Sequence, residues 1–219
     1  MEEPLPIQES GPAARSVRAV DIPGPAGRIE ALWSDPGTGA PAAVIGHPHP
    51  AYGGSMHSKV VHTVYRVLDQ AGHPTLRFNF RGVGRSQGEY SGWNGEIADF
   101  AAAAAFARDR TGTKALWAAG FSFGSWVGLQ WALDDPDVAR FIALGVPVEN
   151  HAFDFLDRLP WPLAIVQGER DQYGGPQTLE TYIEKWKRLG PVTYRIVKGA
   201  DHFFTGKLAE LEQALKEIL

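Results

Sequence analysis

The chain has 219 residues, enough for one domain with a large buried core, and its 25 acidic residues outnumber 21 basic ones that form no run, which argues against a nucleic-acid partner. The absence of cysteine excludes disulfides, thiolate metal sites and a cysteine nucleophile. The N-terminus opens acidic without the apolar core of a signal peptide, and no apolar run approaches the length of a membrane span, so a cytoplasmic location with no membrane partner is expected.

Residues 1–16, rich in Pro, Glu, Ser and Gly, read as a flexible N-terminal arm, and 17–219 as a single domain. Residues 17–20 and 28–33 read as two short strands around a turn over 21–27. Residues 42–45 form a short apolar run of the kind that fills a central parallel strand. Directly after it comes Gly46-His47-Pro48-His49-Pro50, with Gly53-Gly54-Ser55 close behind. A helix is expected over 58–71, where Val60, Val61, Val64, Val67 and Leu68 recur at helical spacing until Gly72 stops it. The strand over 75–80 ends in a glycine-rich loop, residues 81–88. That loop lacks both G-x-G-x-x-G spacing and a Walker lysine, so it reads as a turn and not as a phosphate cradle. An alanine-rich helix follows over 93–108.

Next comes Gly120-Phe121-Ser122-Phe123-Gly124, placed between an apolar run (115–119) and a helix-compatible segment with Trp126, Val127, Leu129 and Trp131. A serine parked between strand and helix is the context that gives G-x-S-x-G its meaning. A hydroxyl meant to attack a carbonyl must stand clear of the backbone on a sharp, strained turn, and the amides that open the helix face developing negative charge. The competing structural reading is a helix N-cap serine in a glycine-rich turn. Further strands are expected over 141–145, 163–167 and 193–197, with helices over 178–189 and 206–219. Strands alternating with amphipathic helices give an α/β fold, a mostly parallel sheet covered on both faces. Its ligand site then lies beyond the carboxyl ends of the strands.

A serine needs a base, and the base needs an acid to orient it. Asp171 follows the strand over 163–167 and is the candidate acid, with Glu149 as the best alternative; His202 follows the last strand and is the candidate base. Asp201 is expected to cap or orient its own loop. Of the two backbone amides of an oxyanion hole, one is assigned to Phe123, the residue after the nucleophile. The other goes to His49, because Pro48 and Pro50 carry no amide hydrogen. His47, His49, His57 and His62 invite a metal reading, but prolines interrupt the His-x-His pair and no carboxylate completes a set, so no metal is assigned and His47 is expected to hold its loop. Arg81 and Arg85 could grip an anionic substrate, though arginines so placed more often brace turns. Tyr52, Trp93, Phe121, Phe153, Tyr173 and Phe203 are candidates for the substrate pocket, with core packing open for each.

Together, His47-Pro48-His49-Pro50 with Gly53-Gly54-Ser55, the Asn79–Ser86 segment, the Ser122 motif, Gly168-Glu169-Arg170-Asp171 and Asp201-His202 resemble the α/β-hydrolase superfamily, and within it the small bacterial serine hydrolases. The resemblance runs from about residue 17 to the C-terminus. It implies a central sheet of about eight strands whose second strand is antiparallel, and carboxylesterase-type activity on a small-molecule ester, without a cofactor. Dienelactone hydrolases are similar in size but use a cysteine, which this chain lacks. Only residues 146–161 separate the sixth strand from the seventh, too few for the helical cap of larger relatives, which implies an open pocket for small to medium acyl groups. Peptidase or acyltransferase chemistry on the same serine, and a non-catalytic binding protein, are the rival readings. A homodimer is compatible with all of them.

Overall fold

The structure, a computed structural model, describes residues 17–219, and the arm expected over 1–16 lies outside the described residues. In chain order the elements are β1 (Arg18–Gly24), β2 (Gly27–Ser34), β3 (Ala42–Gly46), α1 (Lys59–Gln70), β4 (Thr75–Phe78), α2 (Asn94–Thr111), β5 (Leu116–Phe121), α3 (Phe123–Leu133), β6 (Val138–Leu144), β7 (Leu163–Gly168), α4 (Pro176–Trp186), β8 (Val192–Val197) and α5 (Leu208–Ile218). The strands form one eight-stranded sheet in the order β1-β2-β4-β3-β5-β6-β7-β8. β2 runs antiparallel to both β1 and β4, and every pairing from β4 through β8 is parallel.

The central strands β3 and β5 are apolar at every position because both faces are covered, and their period of two sends alternate residues to opposite layers. Ala42 and Val44 of β3 and Leu116 and Ala118 of β5 pack into the layer beneath α2, α3 and α4. Ala43 and Ile45, with Ala119 and Phe121, pack into the layer beneath α1 and α5. Residues 145–162, between β6 and β7, contain no helix, and Phe153, Leu156 and Trp161 from this segment close the first layer.

Most expected elements form with ends shifted by up to three residues, and the largest difference is the first turn. The turn expected over 21–27 is much shorter, because β1 and β2 pair as far as Gly24 opposite Gly27 and leave only Pro25 and Ala26 to turn. β1 is the edge strand, so Pro23 sits within it without removing a hydrogen bond from the sheet interior.

Candidate active site

Ser122 stands between β5 and α3 with φ 55° and ψ −119°, a left-handed conformation that a serine adopts only under constraint, at a cost of about 1–3 kcal/mol. The constraint is close packing. A Cβ on Gly120 would lie 2.3 Å from the Gly124 carbonyl oxygen, and one on Gly124 would lie 2.4 Å from that of Gly46. Glycine at both positions therefore lets α3 press against β3 and β5. The Ser122 amide donates to the Leu144 carbonyl at 2.8 Å, fixing the turn to the neighbouring strand. The serine hydroxyl does not cap the helix it starts, which sets aside the N-cap reading; it lies 2.9 Å from His202 Nε2.

His202 and Asp171 are both buried. His202 Nδ1 lies 2.8 Å from Asp171 Oδ2 and 3.0 Å from Oδ1, so one continuous line of hydrogen bonds joins Ser122 Oγ, the imidazole and the carboxylate. Oδ1 also accepts from the amides of Tyr173 and Gly174, at 2.8 and 3.0 Å, and Oδ2 accepts from Gln167 Nε2 at 2.8 Å. Gln167, fully buried near the end of β7, also accepts from the Val146 amide and donates to the Gly174 carbonyl, so it joins the β6 exit to the Asp171 loop. The sequence reading missed it, although a glutamine inside a buried strand must find partners and so carries a signal. The alternative acid, Glu149, is exposed and is tied to the same loop only through its amide, which donates to Tyr173 O. Asp201 accepts from the Thr205 amide, and that bond above all holds its carboxyl below the usual range, so it organises its own turn.

The loop after β3 is organised by His47, which is fully buried. Its Nδ1 donates to the Pro48 carbonyl at 2.6 Å and its Nε2 accepts from the Phe80 amide at 3.0 Å. Burial pushes its pKa down to about 4, outweighing the opposing effect of the Pro48 carbonyl, so the ring is neutral and locked in one tautomer. His49 Nδ1 accepts from the Ala51 amide, and its Nε2 meets Tyr90 Oη at 3.1 Å. Both ring nitrogens of each histidine are thus engaged within the protein, while the backbone amides of His49 and Phe123 have no acceptor among the described residues.

A cavity of about 600 Å³ opens onto Ser122 and His202. Of the aromatic candidates, Tyr52, Tyr173 and Phe203 line it, the first 88% exposed at its mouth. Phe121, Phe153 and Trp93 do not line it, and their assignment to the pocket is corrected. Phe121 is the last residue of β5, fully buried with its ring 5.1 Å from that of His202. Phe153 is fully buried among Phe155, Tyr182 and Trp186, where a large apolar ring removes most surface from water. Trp93 stands half-exposed, edge-on to Trp126. Pro147, Asn150 and His151 line the cavity without having been singled out by any sequence signal. Arg81 braces its turn by a bidentate bond to buried Asp99, at 2.7 and 3.0 Å, and Arg85 pairs with Glu30 at 2.9 Å; neither lines the cavity.

Residues 42–218 match the model of a family described as an alpha/beta hydrolase domain. A serine hydrolase homologue from Coxiella burnetii is 35% identical, with 92% of this chain and 97% of that one covered and a TM-score of 0.85. A serine hydrolase without lid from Xanthomonas campestris is 32% identical, covering 98% of this chain and 95% of its own, with a TM-score of 0.83. An uncharacterized protein of Rickettsia prowazekii is 35% identical over 204 residues, 90% of this chain and 86% of that protein.

Proposed function

This chain belongs to the α/β-hydrolase family, and from that premise we propose that it is a serine hydrolase that cleaves carboxylic esters of small to medium acyl groups through an acyl-enzyme on Ser122. The observation that carries the proposal is the 2.9 Å contact between Ser122 Oγ and His202 Nε2, made by a serine whose backbone is held at positive φ.

In the proposed reaction His202 Nε2 takes the Ser122 proton as Oγ attacks the ester carbonyl carbon, and the carbonyl π pair moves onto oxygen. The alkoxide is received by the amides of Phe123 and His49, which have no other acceptor among the described residues. Asp171 keeps Nδ1–H in place and stabilises the imidazolium. When the tetrahedral adduct collapses, Nε2–H protonates the departing alcohol. The neutral imidazole next removes a proton from water, whose oxygen attacks the acyl carbon, and the acid leaves as Ser122 regains its proton. The acyl-size limit is supported by the cavity of about 600 Å³ and by the helix-free segment between β6 and β7.

Nitrophenyl esters of rising chain length test the proposal. Expected are highest kcat/KM on the short and medium esters and a loss of at least about a thousandfold in Ser122→Ala with the fold unchanged by circular dichroism. Turnover unaltered by Ser122→Ala, or a strong preference for long-chain triglyceride, would refute it.

A further inference from the structure

His151 differs from the other histidines packed around the site. His47, His49 and His202 each have both ring nitrogens within hydrogen-bond distance of protein groups, whereas neither nitrogen of His151 has a partner among the described residues. Yet His151 is neither loose nor on the open surface. Its amide donates to the Pro147 carbonyl at 3.0 Å, and its ring lies against the Trp126 indole, with centroids 4.8 Å apart and planes 30° apart. That indole is itself fixed, because Nε1 donates to the Ala152 carbonyl at 3.0 Å and Trp93 packs edge-on against it. The result is a half-buried imidazole held flat on an immobile aromatic surface, lining the same cavity as Ser122.

No Lys, Arg, Asp or Glu lines this cavity among the described residues; its walls are mostly proline, glycine and aromatic side chains. An ionic substrate group would find no counter-charge there, and leaving its water would be costly. A neutral imidazole offers one N–H donor and one acceptor, the complement of a hydroxyl group. Burial, and secondarily the neighbouring His49, holds the His151 pKa below its usual value, which keeps the ring in that neutral form at pH 7. Ordering the ring in advance means that a substrate hydroxyl meets a donor and acceptor already in place, so little rotamer entropy is lost on binding.

We infer that His151 is a substrate-recognition residue, and that the substrate is a neutral ester bearing a hydroxyl group away from the scissile bond, which binds the imidazole edge while Ser122 faces the ester carbonyl. This rests on the ester-hydrolase reading above and names the substrate class for that same site.

The test uses pairs of nitrophenyl esters that differ only by one hydroxyl on the acyl chain, at several chain lengths, with wild type, His151→Phe and His151→Gln. Phenylalanine keeps a ring on Trp126 and removes both nitrogens; glutamine restores a donor and an acceptor. In the wild type the hydroxylated member of at least one pair is expected to be favoured about tenfold in kcat/KM, the size of one well-made neutral hydrogen bond. His151→Phe should abolish that preference, lowering kcat/KM for the hydroxylated ester about tenfold more than for its deoxy partner, and His151→Gln should recover part of the preference. Equal loss on both members of each pair, or the same preference in wild type and His151→Phe, would overturn the inference. Absence of turnover on every ester by the wild type would instead overturn the ester-hydrolase reading, and this inference with it.

Discussion

Replacing Gln167 by Glu probes how the Asp171 carboxylate is held, since the two side chains have nearly the same volume and differ only in donors and charge. The Gln167 orientation is fixed by the Val146 amide, which donates to Oε1 at 2.8 Å, so Nε2 faces only acceptors: Asp171 Oδ2 at 2.8 Å, Gly174 O at 2.9 Å and Val146 O at 3.4 Å. A glutamate at 167 places an oxygen among those acceptors. If ionised, it would stand about 3 Å from the Asp171 carboxylate, a repulsion of about 5 kcal/mol at an effective dielectric constant near ~20, before any desolvation. Remaining protonated costs about 1.4 kcal/mol per pH unit above its ordinary pKa of ~4.3, about 4 kcal/mol at pH 7, and is the cheaper route. Its single O–H replaces two N–H donors, so one acceptor goes unpaired for about 1 kcal/mol more. The expected destabilisation is therefore about 5 kcal/mol at pH 7 and about 2 kcal/mol at pH 5. The sign follows from proton binding: above ~4.3 the unfolded chain releases the proton that the folded chain keeps, so the variant weakens as pH rises. Urea unfolding at pH 5, 6 and 7, followed by tryptophan fluorescence, measures the difference from wild type. A difference independent of pH, or below about 1 kcal/mol at pH 7, would refute the placement of an amide donor against Asp171.

Acid should weaken the wild type through His47. Between 6.5, where the ring titrates when unfolded, and its folded value of about 4, the unfolded state binds a proton that the folded state does not. Stability is expected to fall by about 3 kcal/mol as pH drops through that window, and His47→Gln should remove this component. Urea midpoints plotted against pH that run parallel for wild type and variant would contradict it. Gly124→Ala should destabilise by more than about 3 kcal/mol, because its methyl would meet the Gly46 carbonyl, whereas Gly112→Ala, with nothing within 4 Å, should cost only the about 1–2 kcal/mol of a left-handed residue. Thermal unfolding of the two variants gives the comparison, and equal losses would show that contact to be unimportant. Asp99→Ala should cost about 3–5 kcal/mol by leaving Arg81, which is mostly buried, without its carboxylate, a loss that urea unfolding reads directly; one below about 1 kcal/mol would show the pair to be dispensable.

The sheet is legible in the sequence because its central strands are short apolar runs, and Ser122, Asp171 and His202 each stand beyond the end of an expected strand. Chain order and strand ends bring those three to one edge of the sheet, and their side chains complete the approach to hydrogen-bond distance. The pocket was not legible in the same way. Tyr52 and Phe153 both lie in segments without periodicity, and only tertiary packing sends one ring to the cavity mouth and the other into the core. His151 carried no signal at all, since its role in the cavity depends on Trp126, which sits on a different element. The β1–β2 turn was drawn too long because Asp, Pro and Gly read as loop residues, although an edge strand tolerates them.

The central claim, that Ser122 is a nucleophile activated by His202, is tested most directly by intact-mass measurement after treatment with a fluorophosphonate, run on wild type, Ser122→Ala and His202→Ala. A single adduct on the wild type is expected, absent from Ser122→Ala and formed far more slowly on His202→Ala. No adduct on folded wild type, or an adduct that persists in Ser122→Ala, would contradict it.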